Sequence, residues 1–479
     1  MKPFLTIQEI KEKLEKKEIT PKDVLSFYKK RIKKYNPKLN AFLEVFEEEF
    51  DKEHSSKGLL AGIPGLLKDN MSQKGRITSC ASKILSNYKA PYDATITKKL
   101  KDEGAIIVGR GNMDEFAMGS SGEFSAYGAT LNPWDSTRAA GGSSSGPAGA
   151  VGAGLVPWAI GSETGSSVRI PAAFCNLVGL YPSYGRFSRK GIVAFASSTD
   201  QVGPITKTVY DNALLASIMS GNDEGDGTSI NQPRQDFTKD LSAKLPQNLK
   251  IGVIKDSLES DGVDPQIKES FTSAINNFEK MGATIKYVSI PNIDLGIAVY
   301  FVLSRAEAAS NLSRYDGTLY GNRDKEATTI EEMYIKTRQN NFGKEVKRRI
   351  LMGNYVLSAG HKDAFYNKAL LVRSLLQKSF EDTFKDVDLL ISPTSSTLAF
   401  QIGKESSDPL AMYMADFFTV PMCISGIPGL SIPCGFSKEN LPIGFQFVGP
   451  RFSEHLIYKA AFAYEQQTQF YLKNPAGFE

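Results

Sequence analysis

Between Gly141 and Pro171 the chain reads GGSSSGPAGAVGAGLVPWAIGSETGSSVRIP, and two serines, Ser143 and Ser167, sit in it among glycines and small residues. A serine hydroxyl attacks a carbonyl only when a base takes its proton, and the oxyanion that forms needs fixed donors beside it. A tight glycine-containing turn aims consecutive backbone N–H groups into one concavity, so Thr164, Gly165, Ser166 and Ser167 are the expected donors. The chemistry this pattern predicts is nucleophilic acyl transfer.

The base is the harder assignment. The chain holds three histidines: His54 in DKEHSSK, His361 in AGHKD and His455 in SEHL. None has an apolar, glycine-flanked setting, which argues against a Ser-His-Asp arrangement. Lys68 closes the apolar run of AGIPGLLKDN, a strand-like context in which a lysine loses its water. A free lysine titrates near ~10.4, and burial lowers that by as much as ~3 to 5 units, enough for a neutral amine at working pH. The reading is therefore a relay in which Lys68 takes a proton from Ser143, Ser143 takes one from Ser167, and Ser167 attacks. Run backwards, the relay protonates a leaving nitrogen, as an amide requires. A phosphate-cradling loop is the sharpest rival, yet GxxxxGK[ST] is absent and Gly109-Arg110-Gly111 lacks the rest of a dinucleotide fingerprint. Two Ser-x-x-Lys matches, Ser26 to Lys29 and Ser86 to Lys89, lack the companion KTG and SDN motifs.

GIPGLLKDN, GGSSSG and GSETGSSVRIP together resemble the amidase-signature hydrolases. That resemblance implies a Ser-Ser-Lys triad of Lys68, Ser143 and Ser167, with a cis peptide just before Ser143. It also implies an α/β fold, a single large amidase-signature domain with a mixed β-sheet core covered by helices on both faces. NMDEFAMGSS, NPWD, YGRFSRKGIVAFASSTDQVGPIT, NLSRYDG, EVKRRILMGNY, ISPT and LPIGFQFVGP extend the likeness over most of the chain. They resemble the branch of the family that hydrolyses glutamine for tRNA-dependent amidotransferases. By that likeness Ser167 forms a γ-glutamyl ester and releases ammonia, which a partner uses to convert Glu-tRNA(Gln) to Gln-tRNA(Gln). The partners implied are the B and C subunits of a heterotrimer. ATP, magnesium and most of the contact with Glu-tRNA(Gln) are expected in the partner, with no metal or cofactor in this chain.

A glutamine substrate carries an α-carboxylate and an α-ammonium, so a selective pocket wants a fixed guanidinium and a fixed carboxylate. The resemblance assigns these roles to Arg349 and Asp416, with Tyr300 beside them, and Arg348 stands one place away as an alternative to Arg349. One departure stands out: Gly165-Ser166-Ser167 replaces the family's two glycines before the nucleophile. The attacking serine is assigned to position 167 because Val168, Arg169 and Pro171 hold the register. A free-standing amidase of broader substrate range, and an inactive scaffold of the same fold, are the alternative readings.

The elements that must position these residues follow from length and pattern. At 479 residues the chain exceeds the ~250 to 300 of a single ordinary core, which allows two lobes or one unusually large domain. The net charge of +4 comes without an Arg/Lys-rich tract interleaved with aromatics, so no nucleic-acid surface is expected. No apolar run approaches the ~18 to 20 residues of a membrane span. The N-terminus lacks a signal-peptide pattern, and Cys80, Cys175, Cys423 and Cys434 form no CxxC pair; reduced thiols in a cytoplasmic protein are expected.

Residues 1–50 read as a helical arm, with Thr20-Pro21 opening its second helix. The signature core spans 61–205 and contains the Lys68 strand, a helix from Thr95 to Glu103, the strand AIIVG and a helix starting near Pro147. A polar surface loop at 222–236 precedes a second α/β portion, 237–479, that completes the substrate pocket. In that portion LKIGVIKD, GATIKYVSI, DVDLLISPT and GLSIPCGF read as strands and 330–384 as largely helical.

Overall fold

A computed structural model describes residues 1–404 and 414–479 of the chain. Eleven strands form one sheet: β1 (Phe42–Val45), β2 (Pro64–Lys68), β3 (Ile106–Gly111), β4 (Trp158–Glu163), β5 (Val178–Tyr181), β6 (Gln201–Thr206), β7 (Lys250–Ile254), β8 (Thr284–Val288), β9 (Leu389–Pro393), β10 (Gly429–Phe436) and β11 (Pro442–Val448). Their spatial order is β1-β3-β2-β4-β6-β5-β10-β11-β9-β7-β8. β2 runs parallel to β3 and β4, and β7 runs parallel to β8 and β9, while the remaining pairs are antiparallel. The hydrogen bonds between β5 and β10 join the first half of the chain to the second, which decides for one domain over two lobes.

Side chains alternate across a strand, so a sheet buried on both faces sends successive apolar residues into two cores. Leu67, Ile107, Trp158 and Ile160 enter one core with the helices Val209–Met219, Pro265–Lys280 and Glu454–Thr468. Leu66, Ile106, Val108 and Ala159 enter the other with the helix Ser145–Gly152. Farther along that second face, Ile254, Leu390 and Val448 pack against the helices Gly296–Asn311, Lys368–Thr383 and Val420–Ser425. Lys68 keeps step with Leu66 and belongs to this second face.

The N-terminal arm departs from the sequence reading at its end. Its helices Ile7–Glu15 and Pro21–Leu39 carry capping boxes, Thr6 with Glu9 and Thr20 with Asp23. Asn40 then takes a left-handed conformation that stops the second helix. Phe42, Phe46 and Phe50 have helix-compatible spacing, yet Phe42 lies in the edge strand β1, paired with β3. The first helix is anchored from outside the arm, since the Asp211 carboxylate accepts from Ile7 N at 2.7 Å and Gln8 N at 3.2 Å. Beyond the arm, the expected elements appear: Thr95–Asp102 is a helix, 222–236 lies outside helices and strands, and 330–384 contains three α-helices.

Candidate active site

Every residue of β2 is buried, and the strand delivers Lys68 into the interior with no exposed surface. Its Nζ donates to Ser143 Oγ at 2.7 Å and to Ser162 O at 2.9 Å. Burial pushes its pKa down to about 7, against the pull of the Asp114, Asp200 and Glu163 carboxylates. A buried amine poised to lose its charge therefore lies against a serine hydroxyl.

Ser143 is set by a loop that folds onto the segment 114–122. Asp114 N donates to Ser143 O at 3.2 Å, and Gly142 N donates to Ser120 O at 2.7 Å. The peptide bond between Gly142 and Ser143 is cis, as the family resemblance implies. A Cβ at Gly142 would lie 1.9 Å from Asp114 Oδ2, so only glycine fits there. The helix Ser145–Gly152 starts directly after this loop, which brings its positive end to the serine site.

The second serine lies on the turn between β4 and the short helix Arg169–Phe174. The Glu163 carboxylate accepts from Val168 N at 2.8 Å, Arg169 N at 2.9 Å and Arg169 Nε at 2.7 Å, closing the turn around residues 164–167. Arg169 Nη1 reaches Gln446 Oε1 at 2.5 Å and Nη2 reaches Thr419 O at 2.9 Å, tying the turn to the second half of the chain. Thr164 Oγ1 donates to Asp200 at 2.7 Å. Among the described residues, the backbone N–H groups of Thr164, Gly165, Ser166 and Ser167 donate to no protein acceptor. Four consecutive unspent donors beside a serine are what a developing oxyanion needs.

The second link of the relay is less complete. Ser144 N donates to Ser167 O at 3.1 Å, which holds the two serine segments together. No hydrogen bond joins Ser143 Oγ to Ser167 Oγ among the described residues.

Tyr300 of the helix Gly296–Asn311, Arg349 of the helix Lys344–Leu357 and Asp416 of the turn before the helix Val420–Ser425 come together near this turn. A Cβ at Gly165 would lie 3.2 Å from the Tyr300 hydroxyl and 3.1 Å from the Val420 side chain, so the turn presses on both. Val420 N donates to Asp416 O at 3.0 Å, and Ser120 Oγ donates to Asp416 Oδ2 at 2.8 Å. Burial raises the Asp416 carboxyl to about 6, opposed by the hydroxyls of Ser120 and Ser166 and by the Arg349 charge. Burial also pushes the Tyr300 hydroxyl well up, against the Arg349 charge. The two arginines separate clearly. Arg349 has 3% of its side chain exposed and interacts electrostatically with Asp114, Tyr300 and Asp416, whereas Arg348 is 35% exposed; both pair with Glu345. Arg349 is thus the one that faces the turn.

Several residues of the site went unassigned in the sequence. Asp114 and Ser120 lie in NMDEFAMGSS, and Glu163 and Arg169 lie in GSETGSSVR, where Arg169 served only to hold the register. A carboxylate at the start of a glycine-rich turn with an arginine at its end was the available signal. Asp200 and Ser162 carried none, because their roles arise from chain crossings.

An α/β sheet of this order, with a buried lysine hydrogen-bonded to one serine and a second serine on an adjoining glycine-containing turn, is the arrangement of a class of serine-dependent amide hydrolases. A family profile described as Amidase matches residues 23–458, and the chain belongs to that family. It is 49% identical over 473 residues to the A subunit of the glutamyl-tRNA(Gln) amidotransferase of Halothermothrix orenii, covering 98% of each chain. Its namesake from Listeria innocua is 48% identical over 478 residues, again covering 98% of each. Among solved structures, the A subunit of the glutamyl-tRNA(Gln) amidotransferase from Thermotoga maritima superposes with a TM-score of 0.83 at 40% identity, covering 96% of this chain and 94% of that one.

Proposed function

We propose that this chain is the glutamine-hydrolysing A subunit of a glutamyl-tRNA(Gln) amidotransferase, a carbon–nitrogen ligase. The observation that carries the reading is the Lys68–Ser143 hydrogen bond of 2.7 Å in a fully buried setting, behind a turn that keeps four N–H donors unspent. The near full-length likeness to proteins of that name supports the choice of substrate.

In this reading neutral Lys68 takes the Ser143 proton while Ser143 takes the Ser167 proton, and Ser167 Oγ bonds to the side-chain amide carbon of glutamine. The negative charge on the carbonyl oxygen is received by the N–H groups of residues 164–167. The proton returns through Ser143 to the leaving nitrogen as the C–N bond breaks, so ammonia departs and a γ-glutamyl ester remains on Ser167. Water then cleaves the ester along the same proton path and gives glutamate. Arg349 is assigned the α-carboxylate, Asp416 the α-ammonium, and Tyr300 the wall between them.

The ammonia passes to a B subunit that holds ATP, magnesium and Glu-tRNA(Gln), with a small C subunit bracing the heterotrimer. This chain itself takes no metal or cofactor, and it works in the cytoplasm. No helix among the described residues is long and apolar enough to cross a membrane.

The test is ammonia release from glutamine by the complex purified with its partners, for wild type, Ser167→Ala and Arg349→Ala. Ser167→Ala abolishes release. Equal rates for wild type and Ser167→Ala overturn the mechanism. Glutamine hydrolysis that survives Arg349→Ala, beside efficient cleavage of simple amides, overturns the glutaminase assignment in favour of a broad amidase.

A further inference from the structure

Glu115 directly follows Asp114 and serves a different element. Asp114 holds the Ser143 loop, whereas the Glu115 carboxylate, 3% exposed, reaches the start of the helix Lys344–Leu357, which carries Arg349. Its Oε2 accepts from Gly343 N at 2.8 Å, and its Oε1 accepts from the Ser82 hydroxyl. Gly343 is the N-cap of that helix and has no side chain to cap it. A capping box would place a Glu or Gln three residues on to take the N-cap N–H, but Val346 stands there. Glu115 takes that part from 228 residues upstream.

The contact is close. A Cβ at Gly343 would lie 2.2 Å from Glu115 Oε2, and beside it the Phe116 and Phe342 rings meet edge-on with centroids 5.7 Å apart. The helix is held a second time at Gly353, where a Cβ would lie 2.0 Å from Arg305 O of the helix that carries Tyr300. Arg349 stands between the two holds, about 9 Å along the axis from the first. The segment that does the holding is itself pinned to the Ser143 loop, since Asp114 N donates to Ser143 O at 3.2 Å and Glu115 N donates to Phe124 O at 3.3 Å. Burial raises the Glu115 carboxyl to about 7, opposed by the Ser82 hydroxyl and the Gly343 N–H, so the contact requires an acceptor oxygen more than a full charge.

We propose that Glu115 is a positioning residue for substrate recognition: by holding the first turn of the helix Lys344–Leu357 against the segment that carries Asp114, it sets where Arg349 meets the α-carboxylate of glutamine. The inference rests on the glutaminase reading and adds to it a residue that acts only through the helix it holds. Adjacent carboxylates then serve two parts of the site, Asp114 the Ser143 loop and Glu115 the carboxylate pocket. One stretch of backbone keeps cleavage and recognition in register.

The experiment compares glutamine with 4-aminobutanamide, which keeps the amide and the ammonium but has hydrogen in place of the α-carboxylate. Ammonia release is measured with the purified complex of wild type, Glu115→Ala, Glu115→Gln and Gly343→Ala, and of Arg349→Met alone and combined with Glu115→Ala. The readout is the preference, kcat/KM for glutamine divided by that for 4-aminobutanamide. Glu115→Ala is expected to lower it about tenfold, mainly through the KM for glutamine, the size of one buried hydrogen bond to a charged group. Glu115→Gln keeps an oxygen for Gly343 N and is expected to restore most of the preference. Gly343→Ala drives a Cβ into the same contact and is expected to lower the preference in the same way, which carries the test if Glu115→Ala does not fold. In the Arg349→Met background, Glu115→Ala moves the preference no further. Equal losses for both substrates mean that Glu115 only supports the fold, and that overturns the inference. A preference that Gly343→Ala leaves unmoved overturns it as well. A wild-type complex that releases no ammonia from glutamine, or that handles both amides alike, overturns the parent reading and this inference together. An active, selective wild type whose variants keep its preference overturns this inference alone.

Discussion

Glu163 and Arg169 stand six residues apart and form an ion pair at 2.6 Å with almost no exposed surface on either side chain. The same carboxylate binds the two N–H groups that follow Ser167, so a single residue closes the turn that carries Ser167 and neutralises the guanidinium that ties it to β11. Removing one member of a buried pair strands the other charge, at a cost of about 3–5 kcal/mol. Glu163→Gln is expected to lower the denaturant midpoint by a corresponding amount. In the fraction that stays folded, kcat is expected to fall more than KM changes. A variant with wild-type stability and turnover sinks this account of the turn.

The Lys68 amine titrates near pH 7 in the folded chain because burial disfavours its charge. Only the neutral form accepts the Ser143 proton, so kcat/KM for glutamine is expected to rise with pH through about 7. Below about pH 6 it is expected to fall roughly tenfold per unit. Lys68→Met should leave little activity and no such inflection. A profile that rises toward acid pH contradicts a lysine base.

Ser143 and Ser167 differ in what their loss removes. Ser167→Ala eliminates the ester, so mass spectrometry of the quenched enzyme should detect a glutamyl adduct on wild type and none on the variant. Ser143→Ala keeps the nucleophile and breaks the proton path. It should slow ester formation by roughly 10²- to 10⁴-fold, the usual range for lost general acid–base catalysis, while an adduct at Ser167 remains detectable.

Gly142 is fixed by contact, since a Cβ would approach Asp114 Oδ2 to 1.9 Å. The Asp114 carboxylate accepts from Gly122 N at 3.0 Å and Phe124 N at 2.9 Å, so it has little room to move aside. Gly142→Ala is expected to cost about 1–3 kcal/mol, the range for overpacking a buried site. Thermal unfolding measures this, and activity should drop with it because Ser143 is the next residue.

Two carboxylates away from the site set a pH dependence of stability. Burial raises Asp211 to about 7 and Glu465 to about 8, and the Asp211 charge pushes Glu465 up further. Both values lie above those of the unfolded chain, so the folded state holds more protons. The stabilisation is complete below about pH 4 and is lost as pH rises through about 7 to 8. Unfolding free energy should therefore fall as the pH rises from about 5 to 8.5. Glu465→Gln, which keeps an acceptor for Val209 N, should flatten that decline. An identical decline in the variant assigns the effect to other groups.

What the sequence determined alone was local: the apolar run that makes β2 and ends in Lys68, the glycine-rich segments around Ser143 and Ser167, and the caps that open the N-terminal helices. Such features depend on neighbours along the chain, and their physics is legible there. The sequence left Arg348 and Arg349 open, because one place along a helix is a rotation of about 100° and only packing tells which guanidinium is buried. It also left β1 concealed behind helix-like spacing until Asn40 turned the chain. Only the tertiary structure brought Asp114, Ser120, Glu163 and Asp416 around the two serines, because burial and convergence arise where distant segments cross. The same burial lowers the pKa of Lys68, and no stretch of residues carries that property by itself.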